Sequence, residues 1–146
     1  MKAHILIVEG RYYDHIADEL LKGAKAHLDS EGATHETVTV PGALEVPQAL
    51  AAGFDTGRFD GAIALGCVIR GETSHYDIVA NESARALMEL AVSRRWPIGN
   101  GILTVDTEEQ ALARARVAQK NKGRDAAEAC LATLGVAAGL RDGPGG

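Results

Sequence analysis

The sequence predicts an α/β domain: a three-layer α/β/α sandwich whose middle layer is a four-stranded parallel sheet. Short β-branched runs alternate with stretches of helical periodicity along the whole chain. Strand and helix in strict alternation favour parallel strands joined by crossover helices that cover both faces. A length of 146 residues suits one domain with an ordinary core.

The elements follow in order. HILIVE at 4–9 is the first strand, and residues 14–30 form a helix with Ile16, Leu20, Ala24 and Leu28 on one face, capped by Asp14. THETVTV at 34–40 is the second strand, followed by a helix over 44–54. GAIALGCVI at 61–69 is the third, and Ser74 caps a helix over 74–95. GILTV at 101–105 is the fourth, and Thr107-Glu-Glu-Gln110 has capping-box spacing for a helix over 108–117. A last helix over 122–138 places Ala127, Cys130, Leu131, Leu134 and Ala138 on a shared face. Residues 1–138 are thus one domain, and GLRDGPGG at 139–146 reads as a flexible tail.

A net charge of -5, with no basic run beyond short pairs such as Arg94-Arg95, leaves no footprint for nucleic acid or an anionic membrane. The apolar segments fall short of the roughly 20 residues that span a bilayer, and the start is too briefly apolar for a signal peptide. A soluble, cytoplasmic protein acting on small molecules is expected. Cys67 and Cys130 lack the spacing of a zinc or redox pair, so both read as reduced core residues, with no metal implied.

In an open parallel sheet the ligand crevice lies outside the carboxyl ends of the strands. Three turns there carry unusual residues. Gly10-Arg-Tyr-Tyr13 brings two tyrosines, in a chain with only three Tyr, two Phe and one Trp, that either stack on a flat heterocycle or roof the sheet. Pro41-Gly-Ala-Leu-Glu45 precedes a helix, and Glu45 either accepts hydrogen bonds from a polyol or urea-like group or complements the helix dipole. Arg70-Gly-Glu-Thr-Ser-His75 places backbone N–H groups and hydroxyls at a helix start, where a phosphate fits. His75 would stand beside that anion as a proton carrier, or is an ordinary surface histidine; spacing alone leaves both open. Arg114 and Lys122 could bring positive charge to the same phosphate, though most of the cationic stretch around them reads as a solvated helix face. His4, His15, His27 and His35 have no comparable setting. No Walker or Gly-x-Gly-x-x-Gly spacing is present, so nucleotide binding has no positive signal.

GRY at 10–12, PGALEVP at 41–47, LGCVIRGETSHY at 65–76, NGILT at 100–104 and NKG at 121–123 stand in the order found in the lumazine synthases, which the chain resembles from Ile5 to about Leu134. The resemblance implies a flavodoxin-like fold and a transferase of riboflavin biosynthesis that needs no cofactor and no metal. It implies condensation of 5-amino-6-(D-ribitylamino)uracil with 3,4-dihydroxy-2-butanone 4-phosphate to 6,7-dimethyl-8-ribityllumazine. By position, Tyr12 falls where the family stacks a ring on the pyrimidine, Ala43, Leu44 and Glu45 line the ribityl side, and Cys67, Val68 and Ile69 meet the pyrimidine. Glu72 and Thr73 fall in the phosphate loop, Arg114 matches the phosphate arginine, and His75 matches the proton-transfer histidine.

The resemblance also implies a homopentamer with sites between subunits, Asn100 matching a position contributed by the neighbour. Asn100 and Leu44 each replace a common phenylalanine, and Tyr13 replaces an asparagine. Some relatives assemble pentamers into icosahedral shells; a start close to the first strand and the unusual residues 117–120 lead us to expect free pentamers. Two rivals are an archaeal-type riboflavin synthase, which has no phosphate substrate, and a non-catalytic flavin-binding or shell protein. His75 and Arg114 together count against both.

Overall fold

The computed structural model describes residues 2–144. Its sheet has the strand order β2-β1-β3-β4, all parallel. In chain order the elements are β1 (His4–Gly10), α1 (Asp14–Ser30), β2 (Thr34–Val40), a 3-10 turn (Ala43–Glu45), α2 (Val46–Asp55), β3 (Gly61–Ile69), α3 (His75–Arg94), β4 (Ile98–Val105), α4 (Glu108–Ala115) and α5 (Lys122–Asp142).

The two faces of β1 show why the sheet is a middle layer. Ile5 and Ile7 pack with Ile16, Leu20, Ala24 and Leu28 of α1, and with Ala126, Ala127 and Cys130 of α5. Leu6 and Val8 point the other way, to Val46 and Leu50 of α2 and Leu87 of α3. Successive side chains alternate across a strand, so a continuous apolar run can be buried only where both faces are covered. β1 and β3 are the inner strands and are buried almost throughout, whereas β2, at one edge, exposes Thr34, Val38 and Thr39.

Several boundaries move, each for a local reason. The α1 N-cap is Tyr13, and Asp14 is the first helical residue, where its carboxylate complements the dipole. Ser74 holds the N-cap of α3 without a side-chain cap bond. Thr107 does cap α4, its hydroxyl accepting the Gln110 N–H at 3.2 Å, while Gln110 reaches back to the Asp106 N–H at 2.8 Å. The helix expected from Leu44 begins as a 3-10 turn and becomes α-helical at Val46, with Pro47 in its first turn. α4 stops at Ala115, two residues before the expected end at Val117. β4 starts at Ile98, earlier than expected, because Gly99 and Gly101 lie against Ala126 of α5 and their lack of side chains serves packing. The tail expected from Gly139 is helical as far as Asp142; Gly143, at φ 75°, ends the helix. Gly145 and Gly146 of that tail lie outside the described residues.

Candidate active site

The turns after β1, β2 and β3 meet at one edge of the sheet, as parallel register requires: Gly10 pairs with Val40, and Glu9 with Leu65. They are in close contact. A Cβ on Gly10 would lie 2.7 Å from the carbonyl carbon of Gly42, so only glycine lets the first two turns approach this far.

A buried charge cluster holds the first turn. Glu9, only 3% exposed, ends the apolar run of β1. Arg11 grips it with two bonds, Nη2–Oε1 at 2.9 Å and Nε–Oε2 at 3.2 Å, and the Thr39 hydroxyl donates to Oε2 at 2.6 Å. Arg11 also binds Asp18 at 2.7 Å and Asp14 at 3.3 Å. The bonds to Glu9 and Asp18 raise the Arg11 pKa further, so the guanidinium stays charged. A buried carboxylate is costly without such partners. With them the cluster fixes the turn that presents Tyr12. Sequence reasoning missed this support, although a glutamate ending an apolar strand was its signal.

The three turns enclose an open cavity of about 490 Å³. Tyr12, Ala43, Leu44, Glu45, Cys67, Val68, Ile69, Thr73 and His75 all line it, so most of the sequence-predicted site is brought together. Pro41, Gly42, Tyr13, Tyr76 and Val79 add to the wall. Tyr12 is 74% exposed and meets Tyr13 in a T-shaped arrangement with ring centres 4.9 Å apart, so most of its ring is open to a stacking partner. Burial raises the Tyr13 hydroxyl pKa, with Cys67 a lesser cause.

In the loop at 71–74, Gly71 and Thr73 form part of the cavity wall. Among the described residues none of the loop's N–H groups meets an acceptor in the chain; within the turn, His75 N–H donates to Thr73 Oγ1 at 3.3 Å. His75 opens α3 on the exposed side, and its ring has no hydrogen-bond partner among the described residues. Arg70 closes the loop from below. Its Nε donates to Asp106 at 2.9 Å, its guanidinium lies 4.2 Å from the Tyr76 ring centre, and Asp77 is 3.7 Å away.

Cys67 is the one nucleophilic sulfur on the cavity among the described residues. Burial pushes its thiol pKa up to about 12, and Cys130, buried beneath α5, is likewise pushed up to about 12. Both stay protonated at working pH, and the thiol is a poor nucleophile. Iodoacetamide at pH 8 should therefore label neither cysteine in the folded protein and both after denaturation; rapid native labelling of Cys67 would contradict its burial.

Four predicted residues lie elsewhere. Glu72 is exposed on the loop and does not line the cavity. Arg114 folds back on its own helix, donating to the Gln110 carbonyl at 3.1 Å. Asn100 accepts the Ile102 N–H at 2.9 Å and lines a second cavity with Met88, Val92, Trp96 and Thr133. Lys122 pairs with Asp125 at 3.4 Å. Among the described residues, the wall around His75 therefore contains no arginine or lysine.

Among the described residues no helix is long and apolar enough to cross a membrane, and no cluster of His, Cys, Asp and Glu suits a metal ion. The two cysteines are free. Comparison with known proteins identifies the family of the chain. The family model described as 6,7-dimethyl-8-ribityllumazine synthase matches residues 2–138. A protein of that name from Methylobacterium radiotolerans is 66% identical over 134 residues, 92% of this chain and 82% of its own length. The similarly named protein of Sphingopyxis alaskensis is 60% identical, across 92% of this chain and 94% of its own. That of Agrobacterium fabrum is 57% identical over 138 residues, 91% of this chain and 93% of its own. On that match and these identities, the chain belongs to the 6,7-dimethyl-8-ribityllumazine synthase family, transferases of riboflavin biosynthesis.

Proposed function

We infer that the cavity around His75 is where this enzyme condenses 5-amino-6-(D-ribitylamino)uracil with 3,4-dihydroxy-2-butanone 4-phosphate. One observation carries the assignment: residues from three separate turns converge on a single cavity that sets an anion-suited loop beside a free imidazole. The pyrimidine lies between Tyr12 and the strand end at 67–69, and Glu45 accepts hydrogen bonds from the ribityl hydroxyls. The N–H groups of 71–74 and the Thr73 hydroxyl take the phosphate.

Chemistry then needs orientation and proton traffic. An amine of the pyrimidine attacks the ketone carbon, its nitrogen gives up both protons in turn, and the carbonyl oxygen takes up two and leaves as water to form a Schiff base. Loss of a carbon-bound proton expels phosphate, which takes the electron pair of its C–O bond. The enol so formed takes a proton at its terminal carbon and loses one from its hydroxyl to become a ketone; the second amine attacks that new carbonyl, and another water leaves as the ring closes. His75 carries protons between these steps. No step needs a protein nucleophile, in keeping with a protonated Cys67.

Mixing the purified protein with both substrates and following the lumazine chromophore tests the reading; no product above the spontaneous rate would sink it. His75→Ala should lower kcat by about tenfold, a partial loss, because orientation survives and the reaction proceeds unaided. An unchanged kcat would remove the proton-carrier role.

Assembly completes the site in this reading. A cation beside the N–H donors would hold a dianionic phosphate more tightly, and among the described residues the wall around His75 has none. A second copy that presents Arg114, with Asn100 beside the pyrimidine, supplies it. A homopentamer, closed by a cyclic contact between unlike surfaces, provides five such sites. Met88, Val92, Val136 and Leu140 are exposed apolar side chains on α3 and α5, a pattern that favours a covered surface. Light scattering distinguishes free pentamers, our reading, from a shell. Two free cysteines fit a reducing cytoplasm.

A further inference from the structure

We propose that Arg70 is a positioning residue for this reaction: it clamps the loop at 71–74, and with it Thr73 and His75, in the geometry that receives the phosphorylated substrate. The proposal deepens the reading of the cavity given above and rests on it.

Arg70 follows directly after β3, and its N–H donates to the Val105 carbonyl at 2.9 Å, extending the β3–β4 ladder to the edge of the loop. Its side chain joins two other elements. Asp106, which receives Nε at 2.9 Å, precedes α4 and is itself held through its N–H by Gln110 at 2.8 Å. Tyr76, whose ring centre is 4.2 Å from the guanidinium, and Asp77, at 3.7 Å, belong to the first turn of α3. One guanidinium thus ties the start of α3 to the start of α4.

The loop between is poorly tethered. Besides the Thr73 to His75 bond, its internal restraints are the bonds from the N–H groups of Asp77 and Ile78 to the Ser74 carbonyl, both at the helix start. With the strand fixing one end, Arg70 is the side chain that fixes the other. His75 directly precedes Tyr76, and both share the cavity wall with Thr73. A displacement of about 1 Å in such groups suffices for a large loss of rate.

The same contacts argue against a role in stability alone. Arg70, Asp77 and Asp106 are all exposed, and exposed ion pairs contribute little. What a guanidinium adds is a flat face for Tyr76 together with a directed donor for Asp106, which lysine cannot supply together.

The test uses Arg70→Gln, Arg70→Lys and Asp106→Asn in the full chain, with KM for each substrate, kcat, and hydrogen exchange of the loop. Arg70→Gln should raise KM for the phosphorylated ketone by about tenfold and lower kcat, while KM for the pyrimidine stays within about twofold. Arg70→Lys should recover part of the loss. Asp106→Asn, which touches no substrate, should move the same parameters in the same direction, and the N–H groups of 71–75 should exchange faster in both while α1 is unchanged. Unchanged exchange in the loop, or equal rises in both KM values, would overturn the clamp. So would a normal Asp106→Asn beside a crippled Arg70→Gln, which would make Arg70 a direct phosphate ligand. Absence of turnover in the unaltered protein would instead defeat the functional reading, and the exchange comparison would still decide whether Arg70 holds the loop.

Discussion

Gly99→Ala lowers stability by about 3 kcal/mol and Tm by roughly 10 °C. The added Cβ would fall 1.8 Å from the Ala126 carbonyl oxygen and 2.7 Å from its carbon. Both are backbone atoms of α5, so no rotamer change relieves the clash. Either α5 lifts from β4 or β4 bends, and the packing around Ala126, Ala127 and Cys130 loosens. Against a net stability of about 5–15 kcal/mol this is a large share. Gly135→Ala is the control. It lies inside α5, nothing stands within 4 Å of its added Cβ, and it should gain about 0.5–1 kcal/mol from helix propensity. Thermal and urea denaturation at fixed chain concentration measure both, since an assembly's Tm depends on concentration. An unchanged Tm in Gly99→Ala would mean that α5 does not sit on β4 at this distance.

Arg114→Ala is expected to raise KM for the phosphorylated ketone by roughly ten- to a hundredfold, the equivalent of about 1.5–3 kcal/mol for a charge-assisted hydrogen bond. KM for the pyrimidine should barely change. Equal effects on the two would remove the phosphate assignment. Because Arg114 does not line the cavity of its own chain, a second experiment separates a shared site from a self-contained one. In the proposed homopentamer, Arg114→Ala and His75→Ala chains unfolded and refolded together in equal amounts should give mixed rings in which roughly a quarter of the interfaces join an intact His75 to an intact Arg114. Activity above that of either variant alone is expected from the mixture. A mixture no better than the mean of its parts would place both residues in one subunit's site.

How legible these features were differed by kind. The strand and helix order of the core was readable because periodicity is local and β1, β3 and α1 each carry a full apolar pattern. From sequence β4 reads as starting at Gly101, because Gly99, Asn100 and Gly101 look like a turn; the smallness of Gly99 and Gly101 is explained only by α5 packing against them. Gly and Pro content after Ala138 points to an end of the last helix there, yet it runs to Asp142. Ala43 and Leu44 were read near a helix start, and the 3-10 turn they occupy needs Pro47 and the contact between Gly10 and Gly42 to be visible.

By itself the sequence determined the α/β class, the three turns at the carboxyl edge, and the chemistry on offer there, because residue type, spacing and turn preference are local properties. Tertiary structure alone decided which of those residues meet. It gathered Tyr12, Glu45, Cys67, Thr73 and His75 on one cavity, left Asn100 and Arg114 off it, and revealed Arg11 and Arg70 as the supports of two of its walls. Such distances depend on the register of strands more than fifty residues apart in sequence, as between Ile5 and Gly61, and no local pattern encodes that register in full.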